Sequence, residues 1–571
     1  MERVSLPRRE LPRGSVPWDS AGKVSVEHRA ALDAAAEGAR IVLVAMADAS
    51  ARRALLLDWA RRNTGMFPGG RAYADLDDFR VGAFSDPSAA LAWLLDGLGV
   101  RKELIPARPW ERAWALRQVA LRQPVVVILD GAQQAAEVRG AVPPRGVLLV
   151  GSERRLDGRR PDGAVQLDLD GPEPAGAVAP AVDLASLRPA ARTLCRRLGS
   201  LPVRTTSEAM ATALAGAGAE RAVVELRAAG LLEDGGRPGM VRLGGHLWMS
   251  VHRWARSWQY EEKMQEAKVV TDACLEIVEE AAATLASPAA ADAERRTAWE
   301  TLDREQYLVN GLLEKLDGRW PREEGRLVAA LLPLYEERTY SSWWRDSYAR
   351  GIAGASWEGA VDVQAERYAQ LARLGLRYEE DDEQRYMDEA ADRAQDLLGM
   401  VGSDRVRGRI WQSRAEVEER RGRDAAPGWQ EALRCYQAAG EHTDADTAAV
   451  RLGEALVAGG QAERALAVLA GGAAPSGARA SLGRAAALRV LERPGQALAE
   501  AVASFEEAVR EQRYQLCDQA LRLLCELATE QRDDRLLALC RGRRAELGEA
   551  TGLGALWLEA GPYDPADGRR P

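Results

Sequence analysis

Short apolar runs alternate with segments of helical spacing over the first 170 residues, and this alternation constrains the fold more than any other feature of the chain. The apolar runs predict buried strands at residues 41–44, 72–76, 125–129, 147–150 and 165–169. Helical patterns lie between them at residues 51–63, 87–98 and 110–122. Parallel strands need long crossover connections, usually helices, so this order predicts an α/β domain built on a parallel sheet.

The pattern of apolar and polar residues changes twice in the rest of the chain. A Gly/Pro/Ala-rich stretch predicts a linker, and the next segment shows three helical patterns and a Gly/Pro turn before a strand at 240–243, the order of a winged helix. Almost continuous amphipathic helix follows. The predicted domains are a lead-in (1–30), the α/β domain (31–169), the linker (170–182), the winged-helix domain (183–257), helical repeats (258–550) and a tail (551–571).

An internal repeat of small and large residues marks the helical part. One unit contains Leu452, Gly453, Leu456, Ala465 and Leu469. A shift of 34 residues, the length of a tetratricopeptide repeat, reaches Ala487, Val490, Ala499 and Ala503, and a second shift reaches Leu521, Leu524, Asp533 and Leu537, where Asp533 breaks the pattern. Paired helices approach closely at small residues, so the pattern predicts an α-solenoid of TPR-like helix pairs. The alternative is an irregular helical bundle.

Composition excludes several classes of function. The net charge of −9 argues against a nucleic-acid footprint. Six scattered cysteines without a C-x-x-C pair, and only four histidines, argue against a metal site and favour free thiols in a reducing compartment. No apolar segment is long enough to span a bilayer, so we expect a cytoplasmic protein without a membrane partner.

Five segments together resemble the AfsR-type NB-ARC regulators, which are P-loop NTPases of the STAND class. They are residues 67–76 (FPGGRAYADL), 86–95 (DPSAALAWLL), 125–132 (VVVILDGA), 187–192 (LRPAAR) and 299–309 (WETLDREQYLV). The resemblance implies a P-loop NTPase-like domain, a winged helix and helical repeats. It also implies that residues 125–130 form the Walker B strand.

The phosphate-binding loop departs from the family pattern. A working loop reads G-x-x-x-x-G-K-[ST], in which backbone N–H groups, the lysine and the hydroxyl hold phosphates and magnesium. Met46 and Ala51 stand at the glycine positions, and Arg52 and Arg53 replace the lysine and the hydroxyl residue. Asp48 adds a negative charge where a polyanion should bind. These replacements predict that the loop is not a phosphate cradle.

Two further positions of the family site leave alternatives open. Asp130, at the end of the Walker B strand, is interpreted either as a magnesium ligand or as a residue without a present role, an evolutionary remnant or a structural helix cap. Glu153 stands at the position of the family's sensor arginine, unless the register differs by one residue and Arg154 is the sensor. The resemblance also implies a small helical subdomain before the winged helix, for which 170–182 leaves no room, and a His-Asp pair of which His246 is the only candidate remnant.

The sequence therefore predicts a non-catalytic regulatory scaffold, without a catalytic residue, metal or cofactor, that binds a protein or peptide through its repeats. One alternative is an ATP- or ADP-binding sensor that uses Arg52 and Asp130 without efficient hydrolysis. The other is a transcription regulator of the AfsR type. In those relatives an additional N-terminal domain contacts DNA, whereas this chain opens on a lead-in at residues 6–12, so we expect no nucleic-acid partner. The sequence predicts no oligomeric state.

Overall fold

A computed structural model describes most of the chain. It describes residues 24–81, 84–100, 105–106, 109–156, 163–169, 186–216, 218–244, 248, 251, 259–287, 289–337, 344–375, 381–470, 477–511 and 513–551. Most of these residues fall in two compact units, one comprising 24–99 and 105–354 and the other beginning at Ala355. The predicted linker 170–182, most of the lead-in and nearly all of the tail lie outside the described residues.

The first unit begins with a five-stranded sheet. Its elements are α1 (Val26–Ala36), β1 (Ile41–Ala45), α2 (Ala49–Arg62), β2 (Arg71–Asp75), β3 (Arg80–Val81), β4 (Phe84–Ser85), α3 (Pro87–Gly97), α4 (Pro109–Arg122), β5 (Val125–Asp130), β6 (Gly146–Ser152) and β7 (Ala164–Asp168). The strands lie in the order β2-β5-β6-β1-β7, and all neighbours are parallel. The predicted parallel α/β domain is confirmed.

Strand order determines where a site can form in this domain. β1 lies between β6 and β7, and its side chains are buried because helices cover the sheet. From β1 the chain continues to β2, at one edge of the sheet. After β6 it passes β1 and forms β7, at the opposite edge. Such a reversal opens a crevice at the carboxyl ends of the strands, where ligands bind in open α/β sheets. The loop between β1 and α2 lies at this crevice.

Residues 186–244, which we call the hairpin module, follow in the same unit. They contain α5 (Pro189–Ser200), β8 (Thr205–Ser207), α6 (Glu208–Ala215), α7 (Ala219–Ala228), β9 (Leu232–Asp234) and β10 (Met240–Leu243). β10 pairs antiparallel with both β8 and β9. The sequence analysis did not locate β8 or β9, since three-residue strands are too short to show a period. The winged-helix interpretation stays a prediction, and His246 lies outside the described residues.

Four helices complete the first unit: α8 (Tyr260–Ala286), α9 (Asp292–Leu316), α10 (Pro321–Glu337) and α11 (Trp344–Trp357), whose last three residues belong to the second unit. α9 packs on the α/β domain, where the Tyr307 and Phe79 rings meet edge to face with centroids 5.9 Å apart. A Cβ at Gly311 of α9 would lie 2.7 Å from Pro202 Cγ, so the contact of α9 with the hairpin module requires glycine. The segment predicted as one repeat domain, 258–550, is thus divided between the two units.

The second unit is a run of helices in consecutive pairs. They are α12 (Val361–Gly375), α13 (Asp381–Leu397), α14 (Asp404–Arg420), α15 (Ala426–Ala439), α16 (His442–Ala458), α17 (Ala462–Ala470), α18 (Ala478–Val490), α19 (Pro494–Arg510), α20 (Tyr514–Glu530) and α21 (Asp534–Thr551). A Cβ at Gly453 of α16 would lie 2.7 Å from Leu469 Cδ1 of α17. Small residues at helix crossings are what the predicted TPR-like solenoid requires, and this fold class is confirmed.

The strict period of 34 residues is wrong for the second unit of the repeat. Ala499 and Ala503 are exposed, whereas Ala497 and Ala501 are buried. The spacing from the start of α17 to the start of α19 is two residues shorter than 34, so the shift lands on the wrong face of α19. Asp533 does not interrupt a packing position either, because its Oδ1 accepts the N–H of Leu536 at 3.0 Å at the start of α21. None of the described helices is long and apolar enough to cross a membrane.

Candidate functional site

The N-terminus of α2 lies at the crevice and is capped by the chain itself. Asp48 Oδ1 accepts the N–H groups of Ser50 and Ala51, each at 3.0 Å. Free N–H groups at a helix N-terminus are the usual binding site for phosphate, since the helix dipole also favours negative charge there. A side-chain carboxylate occupies that position in this protein. The N–H of Met46 is also engaged, with Ser152 O at 2.9 Å.

Arg52 fills the space behind this cap. Its Nε donates to Asp130 Oδ1 at 2.5 Å, and its Nη1 donates to the carbonyl oxygen of Met46 at 2.6 Å. The side chains of Arg52 and Asp130 are only 2% and 0% exposed, so the pair is removed from water. Burial alone would lower the pKa of Arg52, but the Asp130 carboxylate outweighs it and raises that pKa above its ordinary value. Arg52 therefore remains a cation, paired within the protein.

Gly151 of β6 makes room for this ion pair. A Cβ at this position would lie 2.2 Å from Asp130 Oδ1 and 3.0 Å from Arg52 Cδ. Any side chain there would displace the pair. The sequence offered a weak signal, because a glycine inside an apolar strand often marks a close approach.

Asp130 has structural partners rather than a role in a helix cap. Besides Arg52, its Oδ1 accepts the N–H of Gly131 at 2.9 Å, and its Oδ2 accepts the Tyr73 hydroxyl at 3.4 Å. The helix-cap interpretation is therefore wrong. The sequence analysis did not predict this buried ion pair, because Arg52 and Asp130 are distant along the chain.

Arg53 points away from Asp130 toward the end of β2. Its Nε donates to the Tyr73 hydroxyl at 2.9 Å, and its Nη2 donates to Asp75 Oδ2 at 2.6 Å. Burial would lower the pKa of Arg53, but Tyr73 and Asp75 raise it well above its ordinary value. The hydroxyl-bearing residue of the family loop is thus replaced by a cation with partners of its own.

Glu153 lies at the same crevice, and Arg154 is exposed. A carboxylate oxygen of Glu153 accepts Arg204 Nη2 at 2.9 Å, from the segment before β8. Burial would raise the pKa of Glu153, but Arg204 and then Arg52 lower it below its ordinary value. Glu153 is therefore neutralised by Arg204 and Arg52. Whether Glu153 or Arg154 corresponds to the sensor stays a prediction.

The structure brings Met46, Arg52 and Asp130 into direct contact and places Arg53 and Glu153 on either side of them. Ala51 lies in the first turn of α2 and contributes only its backbone N–H to the cap. The sequence analysis missed Tyr73, Asp75, Gly151 and Arg204. Among the residues that the structure describes, no group of three or more His, Cys, Asp or Glu residues is placed to hold a metal ion.

No protein-family model matches the chain, and no curated protein matches it. Among solved structures, it is similar to a Signal Transduction ATPase with Numerous Domains (STAND) protein with a tetratricopeptide repeat sensor from Pyrococcus horikoshii. The two chains are 11% identical, with a TM-score of 0.48 over 98% of each. That likeness is too weak to transfer an activity or a ligand. The fold class follows from the strand order and the helix pairs of this chain.

Proposed function

We propose that this protein is a non-catalytic regulatory scaffold of the STAND type, in which an internal ion pair takes the place of nucleotide phosphates. The observation that carries the proposal is the buried pair between Arg52 and Asp130, together with the Asp48 cap on α2. The side chains that would contact phosphate and magnesium in a working site bind each other here. The protein would signal without hydrolysing ATP.

The energetics of the pair support this proposal. A polyphosphate could use Arg52 only after that side chain left Asp130, and a carboxylate left unpaired in the interior costs about 3–5 kcal/mol. It would also have to displace Asp48 from the helix N-terminus. The alternative of an ATP or ADP sensor depends on Arg52 and Asp130 as free ligands, so this geometry disfavours it.

The charges on the helical repeats favour a protein or peptide partner over nucleic acid. Three arginines of the repeats bond to glutamates on the corresponding helix of a neighbouring pair. These bonds join Arg373 to Glu416 at 2.9 Å, Arg451 to Glu419 at 2.7 Å and Arg479 to Glu454 at 2.9 Å. Nucleic-acid binding needs arginines that neutralise phosphates. Because these arginines are paired with glutamates, they do not form a surface of net positive charge.

The transcription-regulator alternative has little support on the hairpin module. Arg227 of α7 pairs with Glu208 and Asp234, at 2.9 and 3.1 Å. Val224, on the outward face of α7, is 65% exposed. A helix that reads DNA presents a row of unpaired basic side chains, whereas pairing of Arg227 leaves Arg221 as the other basic residue of α7.

Thermal denaturation with magnesium and millimolar ATP or ADP tests the nucleotide part of the proposal. A ligand present at 100 times its dissociation constant adds about 2.7 kcal/mol to the native state, so a functional site would raise the melting temperature by several degrees. We expect no rise with either nucleotide. The control is magnesium with inorganic sulfate. A rise specific to ATP or ADP, abolished by Arg52→Ala and retained by Arg154→Ala, would establish the sensor instead.

Affinity capture from the native cell tests the partner part. Full-length protein serves as bait beside two variants, Ala465→Leu at a buried helix contact and Ala499→Leu at an exposed position of the same type. Partner recovery should fall with the first and persist with the second. Equal recovery with both would place recognition outside the repeats.

A further inference from the structure

A second set of arginines crosses from the α/β domain to the hairpin module. Arg53 lies on α2, and its side chain bonds to Tyr73 and Asp75 of β2. Its remaining nitrogen, Nη1, donates to the carbonyl oxygens of Asp234 and Gly235 at 2.9 and 3.1 Å. Asp234 ends β9 and Gly235 follows it, so one guanidinium group bonds to both sides of the boundary.

Asp75 receives a second arginine from the opposite direction. Arg242 of β10 donates from Nη1 to Asp75 Oδ2 at 2.9 Å, the same oxygen that binds Arg53. The Asp75 side chain is fully buried and that of Arg242 is 5% exposed. Burial would raise the pKa of Asp75, but Arg242 and Arg53 hold it below its ordinary value. A buried carboxylate shared by two arginines joins the modules.

Arg204 makes a third connection from the segment that enters β8. Its Nη1 donates to Asp77 Oδ2 at 3.1 Å, and its Nη2 donates to Glu153 at 2.9 Å. The next residue, Thr205, donates its hydroxyl to the carbonyl oxygen of Asp77 at 3.2 Å. This connection lies at β8, the edge strand opposite β9, so Arg204 and Arg53 hold the two edges of the hairpin sheet.

Arg237 adds α9 to the same contact. It bonds to Asp303 of α9 at 3.1 Å, and its guanidinium lies 5.2 Å from the centre of the Phe79 ring. Beside it, a Cβ at Gly236 would lie 2.3 Å from Asp75 Cβ and 2.6 Å from Asp78 Oδ2. The turn between β9 and β10 therefore lies directly on the acidic end of β2.

We propose that Arg53, Arg204, Arg237 and Arg242 form an arginine latch that holds the α/β domain, the hairpin module and α9 in one fixed arrangement without any bound ligand. Interfaces between modules of one chain allow relative motion by default unless they are large and apolar. Buried charge pairs oppose that motion, because separation would break the pairs that cross the boundary and leave charges in the interior with fewer partners. Arg53 is central, since it bonds to both sides.

Hydrogen exchange of the full-length protein, followed by mass spectrometry, tests the latch. Arg53→Met keeps the length of the side chain and removes its donors. We expect the amides of residues 71–79 and of residues 232–243 both to exchange at least about fivefold faster than in the unsubstituted protein. Exchange in residues 404–458 should not change. Arg61→Met is the matched control on α2, because Arg61 is 55% exposed and pairs with Asp58 on its own helix. Faster exchange confined to residues 49–62, or equal effects of both variants, would overturn the latch.

Gly236→Ala tests the same proposal without changing any charge. The added methyl group cannot fit against Asp75 and Asp78, so the turn must move away from β2. The same two segments should exchange faster, and this variant decides the question if Arg53→Met does not fold. Unchanged exchange in residues 71–79 with Gly236→Ala would show that the modules are not held together at this contact.

Discussion

In the α/β domain Arg52 and Asp130 pair through side chains that are 2% and 0% exposed, whereas in the helical repeats Arg489 pairs with Glu526 and Glu530 through side chains that are a third to a half exposed. The two regions use the same chemical groups. They differ in whether water can replace a lost partner. This difference determines how much each pair matters to the fold.

The reason lies in the architecture of each region. A parallel sheet leaves a crevice at the carboxyl ends of its strands, and polar groups there must be satisfied by a ligand or by the protein. In the repeats, small residues such as Gly453 bring paired helices into contact. The Arg489 pairs therefore lie at the surface of these helices, whereas the Arg52–Asp130 pair of the α/β domain is internal.

The largest effect is expected at the buried ion pair. Asp130→Ala leaves Arg52 charged and unpaired in the interior, which should reduce the free energy of unfolding by about 3–5 kcal/mol. Denaturant titration of the full-length protein measures this loss. The double variant Arg52→Met/Asp130→Leu removes both charges and should recover most of it. A loss below about 1 kcal/mol from Asp130→Ala would show that water reaches the pair.

Overpacking should have the next largest effect, in the repeats. Ala465 is fully buried between helices, so Ala465→Leu should cost about 1–3 kcal/mol. Ala499→Leu adds the same atoms at an exposed position and should cost less than about 0.5 kcal/mol. Thermal denaturation of the two variants measures the difference. Equal losses would contradict the register of α19 described above.

Asp78 should make the α/β domain sensitive to pH. In the part of the chain that the structure describes, neither of its carboxylate oxygens has a hydrogen-bond partner. Burial, and then the nearby Asp75, raise the pKa of Asp78 from 3.8 to about 7. Since the folded pKa exceeds the unfolded value, the stability that protonation contributes is lost as the pH rises from about 4 through about 7.

Asp78→Asn removes that charge and should therefore stabilise the protein by about 2 kcal/mol at pH 8, with a smaller gain at pH 5. Melting temperatures measured across this range give the comparison. Asp168→Asn, at a side chain 41% exposed, is the control and should show no such trend. A gain that is the same at pH 5 and pH 8 would mean that Asp78 does not titrate in this interval.

The smallest effect is expected at the surface of the repeats. Arg489→Ala removes the bonds to Glu526 and Glu530 but leaves both carboxylates in water, so the cost should lie between about 0 and 1 kcal/mol. Raising the salt concentration should reduce it further. A salt-independent loss comparable with that of Asp130→Ala would remove the distinction between the two regions.

Sequence periodicity alone predicted the parallel sheet, the order of its strands along the chain and the run of helices, because burial patterns of period 2 and 3.6 are local properties. The resemblance to the NB-ARC regulators, rather than periodicity, predicted that Met46, Arg52, Arg53, Asp130 and Glu153 are altered positions of one site. Periodicity did not predict how neighbouring strands pair in space, and it placed Ala499 on the wrong face of α19, because loop lengths shift the register of a repeat.

The partners of the altered residues were decided only by tertiary structure. Arg52 meets Asp130, and Arg53 reaches Asp234, through folding of segments that are far apart in the chain. Gly151 has no side chain that could bind a ligand, yet it provides the space for the buried ion pair. A side chain's type limits what it can bind, but the pairing of two buried charges depends on distance and on exclusion of water, and both are properties of the folded chain.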